Sequence, residues 1–313
     1  MRNSQVQKVR RKIDELWLKS VRLYTNNTPI ARGKYRAYLT ALKFCRHLPT
    51  ESLIRIKDGR KFSVDLTAGT QTSVFFLGEY EKALSEIVIK LLRKGDICLD
   101  VGANFGWYTS VFLKYAGITS KIHAFEPVPR TFRELERNYE LMGNPENVQI
   151  NNLALGDRNC EVTINLFEGL GSGHASISRQ ERDDYVSFKC QMITLDEYLE
   201  TNKVNQVNFI KVDIEGAEMM FLKGAEKVFQ QPVPPIWLME MALHQTKNFG
   251  YTPNDLVSFL RERGPYEFYR VDETKGVMLK IHGFEPDDIG ANVFCIPRGF
   301  YQDRLLELNI QPW

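Results

Sequence analysis

Cysteine is scarce in this 313-residue chain, with five in all, at positions 45, 98, 160, 190 and 295. They are scattered, odd in number and without the spacing of a metal site, so reduced thiols in a cytoplasmic setting are the simplest reading. Long apolar runs are missing too. No stretch approaches the length of a membrane span, and the basic N-terminus lacks the apolar core of a secretory signal, so an integral membrane protein is not expected. Internal repeats and low-complexity tracts are absent. So is the Gly-x-Gly-x-x-Gly pattern of dinucleotide-binding folds, which disfavours a nicotinamide oxidoreductase.

What is present is ordinary in amount and uneven in placement. Hydrophobic residues make up 43% and charged residues 26%, enough to bury a large core with room for an extension. The formal charge of +2 hides a split: residues 1–61 hold sixteen Lys and Arg against four Asp and Glu. The rest of the chain is acidic, so the pattern is a basic arm on an acidic body. In the arm Val6, Val9, Ile13, Leu16, Trp17, Val21 and Tyr24 recur at helical spacing, with Lys8, Arg10, Arg11, Lys12, Lys19 and Arg22 between them. Two readings stay open. The arm either meets an anionic membrane surface or polyanionic acceptor, or it docks on the protein's own body or a second subunit as a homo-oligomer. No DNA- or RNA-binding module accompanies the charge, so a specific nucleic acid partner is not expected.

The most informative stretch is Asp100-Val-Gly-Ala-Asn-Phe-Gly106. Apolar Ile97-Cys98-Leu99 before it reads as a buried strand, and Trp107 to Tyr115 after it has helical spacing. Two glycines and an Asn let the backbone turn sharply and approach a ligand. The helix start just beyond offers free N–H groups to an anion. Asp100 would repel a pyrophosphate but suits an ammonium, and the two demands together fit the amino-acid end of S-adenosylmethionine. Another apolar run, Lys121 to Phe125, ends at Glu126, about twenty residues after the turn, where nucleotide-binding α/β folds place a ribose-binding acid. Each acid also has a plain structural reading, Asp100 as a turn cap and Glu126 as a strand-end carboxylate.

Residues 1–48 read as helical, broken near Asn26-Asn27-Thr28-Pro29, and 53–64 as a hairpin around Asp58-Gly59. Helical spacing returns from Tyr80 to Leu92. Strand and helix patterns then alternate through 97–102, 106–116, 121–126, 130–142 and 148–155, which predicts parallel strands covered by helices on both faces. A β-like insertion at about 158–193 has two arms around a small, polar loop, Gly169 to Gln180. Strands at 207–213 and 236–241, helices at 218–229 and 253–263, and terminal strands near 266–272 and 292–296 complete the pattern. The division is a basic helical extension over 1–50 and an α/β domain over 51–313.

Four stretches are similar to the FkbM family of S-adenosylmethionine-dependent methyltransferases: Gly78-Glu-Tyr80-Glu81, Asp100 to Gly106, Ala154-Leu-Gly-Asp157 and Lys211-Val-Asp-Ile-Glu-Gly-Ala-Glu218. Gly224-Ala225 and Asn292 also fit that pattern. The resemblance covers about 53–297 and implies a Rossmann-like, seven-stranded class I methyltransferase sheet with the last strand antiparallel. It further implies that Asp100, Gly102, Asn104 and Gly106 hold the methionine portion of the donor, that Glu126 takes the ribose, and that Leu155 and Asp157 face the adenine. Glu81 and Asp213 belong to the same donor-binding set. The expected reaction is methyl transfer to a hydroxyl of a sugar, glycolipid or secondary metabolite, the acceptor being a small molecule or glycan. Transfer to nitrogen, and a silent donor-binding interaction module, are the alternatives.

An attacking alcohol must lose its proton, which calls for a base or a metal nearby. Asp213, Glu215 and His244 are the catalytic candidates at strand ends, with His174 in the Gly-rich loop as a further one. Asp213, Glu240 and His244 could together hold a divalent cation. Trp107 and Tyr108 could face the sulfonium as cation–π partners, although core packing explains Trp107 equally well.

Overall fold

Two compact units divide the chain at Tyr80–Glu81 in the computed structural model, which describes residues 2–28, 33–167, 175–176, 185–285 and 287–312. Residues 168–174 and 177–184, and with them His174 and most of the Gly169–Gln180 loop, lie outside the described residues.

The first unit holds helices α1 (Arg2–Asn27) and α2 (Lys34–Phe44), hairpin strands β1 (Ser52–Arg55) and β2 (Lys61–Val64), and helix α3 (Gly69–Leu77). Leu18, Val21 and Thr25 recur at i+3 and i+4 and form the buried face of α1 against α2 and α3. Polar ties fix that packing: the Arg22 guanidinium donates to the Phe75 and Arg55 carbonyls, and the Asn26 amide to the Phe76 carbonyl at 2.8 Å. Gly59, at φ 93°, makes the hairpin turn that Asp58-Gly59 announces. This unit therefore reaches thirty residues past the 1–50 extension read from sequence, because the hairpin and α3 pack with the arm.

The second unit is an α/β body. Its elements are α4 (Lys82–Leu91), β3 (Ile97–Val101), α5 (Trp107–Ala116), β4 (Lys121–Phe125), α6 (Pro129–Leu141), β5 (Val148–Asn151), β6 (Ala154–Leu155), β7 (Cys160–Phe167), β8 (Ala175–Ser176) and β9 (Tyr185–Ile193). Then come α7 (Leu195–Thr201), β10 (Phe209–Val212), α8 (Glu218–Lys223), α9 (Glu226–Phe229), β11 (Ile236–Ala242), α10 (Leu243–Thr246), α11 (Pro253–Arg263), β12 (Tyr266–Asp272), β13 (Val277–Ile281), β14 (Gly290–Pro297), α12 (Gln302–Leu305) and β15 (Ile310–Pro312). The large sheet runs β15-β13-β12-β14-β11-β10-β3-β4-β5. From β5 to β11 all pairings are parallel, and β14 enters antiparallel between β11 and β12. The sheet has nine strands where seven were expected, with β13 and β15 lying beyond β12 at one edge. Phe125, Phe209, Phe221 and Trp237 are buried to 1% exposure or less, and each such aromatic resists truncation by about 3–5 kcal/mol.

Three local outcomes differ from the periodicity. The run 148–155 divides into β5 and β6 because the Asn151 and Asn152 side chains turn back to the Ala124 and Glu126 carbonyls. β6 then pairs with β9 in a small side sheet ordered β6-β9-β7-β8, which is the insertion. The helix read over 218–229 breaks at Gly224, whose Cα sits so close to Gly156 that a Cβ would overlap the Gly156 carbonyl oxygen. Among the described residues no helix is long and apolar enough to cross a membrane.

Candidate active site

The turn between β3 and α5 is held from below by β4: the Gly102 and Ala103 amides both donate to the Phe125 carbonyl, at 3.0 and 2.9 Å. Gly102 (φ 78°) cannot carry a side chain, because a Cβ would overlap the Asp213 carbonyl oxygen. Asn104 also lies in the left-handed region, at φ 51°, and Gly106 at φ 89° begins α5. Asp100 is wholly buried. Its Oδ2 accepts the Thr109 hydroxyl at 2.6 Å, while its Oδ1 has no hydrogen-bond partner. Burial holds this carboxyl above its usual range, with Lys211 and the Thr109 hydrogen bonds pulling the other way. The Asn104 side-chain oxygen is likewise buried and without a partner. Glu126, just past β4, accepts the Asn104 and Val128 amides at 3.0 Å each, so it braces the turn. Burial still pushes its carboxyl up to about 7.

A second cluster stands beside the first because β10 pairs with β3 and sets Lys211 opposite Asp100. The Lys211 ammonium is 2.9 Å from Asp213 Oδ2 and 5.3 Å from the centre of the Tyr108 ring. Burial alone would lower the Lys211 pKa, but Asp213, Asp100 and Glu81 outweigh it and hold the ammonium well above the usual lysine range. Glu81 (φ 43°) accepts the Tyr108 hydroxyl at 2.7 Å. Asp213 also shares a hydrogen bond with Glu240, whose carboxyl is driven far upward by burial and then by the charges of Asp213 and Glu215. The Gln245 amide joins Glu215 at 2.7 Å to Glu240 at 3.1 Å.

Glu240 also lines a cleft of about 580 Å³ with His244, Arg270, Asp272 and Asn292. His244 is exposed on its wall, not at Asp213. The cation site expected from Asp213, Glu240 and His244 is therefore corrected: among the described residues no three His, Cys, Asp or Glu side chains stand ready to hold a metal, and the positive charge at Asp213 is Lys211. Trp107 is a core residue, its Nε1 donating to the Ser85 hydroxyl at 2.9 Å, and Tyr108 faces Lys211. The Leu155 side chain packs in the main core with Val101 and Phe125, whereas Asp157 is partly exposed and 3.5 Å from the Arg158 guanidinium. Glu218 serves the fold, accepting the Ile214 and Gly216 amides at 3.2 Å each.

Lys211 and Gln245 belong to the site without having been expected there. A lysine inside the fully buried strand Phe209–Val212 does demand a buried counter-charge, but its partner follows only from the pairing of β10 with β3. Gln245 offers no such mark.

The family model for the methyltransferase FkbM domain matches residues 100–266. Methyltransferase 1 of Beauveria bassiana is 27% identical over 146 residues, 41% of this chain, which spans 57% of that relative's length. The hexuronic acid methyltransferase AglP of Haloferax volcanii is 24% identical over 182 residues, 58% of this chain and 68% of its own. The crystal structure of methyltransferase FkbM from Methylobacillus flagellatus KT is 15% identical, covers 72% of this chain and 52% of that one, and superposes with a TM-score of 0.42. With over half its length in the matched domain, the chain belongs to the FkbM methyltransferase family.

Proposed function

We propose that this chain transfers a methyl group from S-adenosylmethionine to a hydroxyl of a sugar, glycolipid or secondary metabolite. The supporting observation is the Asp100 carboxyl, wholly buried, with one oxygen left without a hydrogen-bond partner, beside a turn in which Gly102 and Gly106 lack Cβ atoms. An unmade hydrogen bond of this kind costs about 1–3 kcal/mol, which an ammonium would recover. A pyrophosphate would meet like charge there. The unpartnered Asn104 oxygen offers a second acceptor, and the start of α5 gives N–H groups for a carboxylate. The residues present therefore fit a zwitterionic amino-acid group.

When bound, the donor supplies a methyl on a sulfonium, open to attack by an oxygen lone pair. Asp100 would pair with its ammonium and Glu126 would accept the ribose hydroxyls, with Asp157 left for the adenine by the family resemblance. Lys211 pairs with Asp213 at 2.9 Å, and Glu240 shares a hydrogen bond with the same carboxyl group. With both partners in place, the Asp213 carboxyl is engaged by the protein itself. His244 on the cleft wall is the better proton acceptor. The cleft presents donors and acceptors in Arg270, Asn292, Asp272 and Glu240, which suits a polyhydroxylated acceptor. The Haloferax relative, named for hexuronic acid, is in keeping with that class.

A labelled-methyl assay against hexuronic acid glycosides and other polyols tests the reading. Wild type transfers label, and His244→Ala lowers kcat about 100-fold while donor affinity is unchanged. Full activity in that variant contradicts the base assignment, and no transfer to any hydroxyl acceptor contradicts the function.

A further inference from the structure

The first unit presents a surface that the methyl-transfer reading does not use. Helix α1 has two apolar faces. Leu18, Val21 and Thr25 form the buried one, while Val9, Ile13, Leu16, Trp17, Leu23 and Tyr24 repeat at i+3, i+4 and i+7 along another that is open. Ile13 is 59% exposed and Leu16 65%. Phe44, at the end of α2, is 70% exposed and closes a groove of about 710 Å³ with Val9, Ile13 and Trp17. An apolar strip of this length on 26 helical residues is far more than the scattered surface leucines of ordinary proteins.

Cations border the strip. Arg10, Lys12 and Lys19 are exposed along its edges, and residues 1–61 carry sixteen Lys and Arg against four Asp and Glu. An occupant must therefore offer apolar surface and negative charge together. A second copy of the chain would supply apolar surface but bring the same positive charge to the contact. A nucleic acid would supply charge without an apolar counterpart. A bilayer with anionic headgroups supplies both, its acyl boundary to the strip and its phosphates to the flanking cations.

We infer that the open face of α1, with Phe44, is a seat for an anionic lipid surface, on which the helix lies in the plane of the interface. Long Lys and Arg side chains at the strip edges reach up to the headgroups while their stems stay against the apolar face. The seat does not depend on the methyl-transfer reading.

The test is sedimentation of the full chain with phosphatidylcholine vesicles, with and without phosphatidylserine, at several salt concentrations. The wild type is expected to bind phosphatidylserine vesicles about tenfold or more tightly than neutral ones, with the preference shrinking as salt rises. Trp17, 44% exposed, should shift its emission to the blue on binding. The pair Ile13→Glu and Leu16→Glu should lose binding while circular dichroism stays that of the folded protein, since both positions are exposed. Lys12→Gln with Lys19→Gln should weaken binding several-fold and flatten the salt dependence. Equal affinity for both vesicles, or none for either, overturns the inference. So does a wild-type dimer that Ile13→Glu with Leu16→Glu dissolves without any vesicle binding, because then a second copy covers the face.

Discussion

At the scale of single residues, the informative groups are those whose charge state is set by burial. Glu126 sits near pH 7 because its carboxylate is desolvated, although two amides favour the charged form. In the folded protein its proton is thus held more tightly than in the unfolded chain. Its contribution to stability is full below about pH 4.5 and is lost as pH rises through 7. Ribose hydroxyls hydrogen-bonded to Glu126 would favour the carboxylate and lower its pKa, so donor binding releases up to about one proton near pH 6.5. Calorimetric titrations of S-adenosylhomocysteine in buffers of different ionisation enthalpy read this directly. The released proton should vanish by about pH 8.5 and in Glu126→Gln. An observed heat independent of buffer at pH 6.5 would place the ribose elsewhere. Asp100, Asn104 and Glu126 were all legible in the sequence because strand ends in α/β sheets collect ligand-binding groups. Lys211 was not, since its meaning comes from strand register: only the β3–β10 pairing sets it opposite Asp100.

At the scale of elements, the close approach of two strand-end loops decides what the turn tolerates. Gly102 is in the left-handed region and faces the Asp213 carbonyl with no room for a methyl group. Gly102→Ala therefore strains the backbone and pushes the two loops apart, at a cost of about 2–4 kcal/mol. The expected outcome is a Tm lower by several degrees and weakened donor binding in the same variant, seen by calorimetry. Wild-type stability would mean that the loops are not locked together. Periodicity was a sound guide to β3, α5, β4 and α6, where apolar spacing and core placement coincide. It failed where side chains outside the local pattern decide. Asn151 and Asn152 break the strand at 148–155, Gly156 breaks the helix at Gly224 by proximity, and β13 and β15 join the sheet through an edge that no local signal marks.

At the scale of the whole molecule, one unit holds the parallel sheet and its carboxylate-rich strand ends, and the other displays a basic, apolar helix face. The sheet was legible from alternation of strand and helix. The first unit's extent was not, because the hairpin reads as part of whichever body lies next to it in sequence. Within the second unit, every element of the reaction scheme depends on Asp100 meeting an ammonium. Calorimetric titration of S-adenosylhomocysteine into wild type and Asp100→Asn measures that contact. Asn keeps the shape and an oxygen for Thr109, so the fold survives while the charge is gone. Wild type should bind tightly, and Asp100→Asn should lose about 2–3 kcal/mol, near one hundredfold. Equal affinity in the two proteins would contradict that contact.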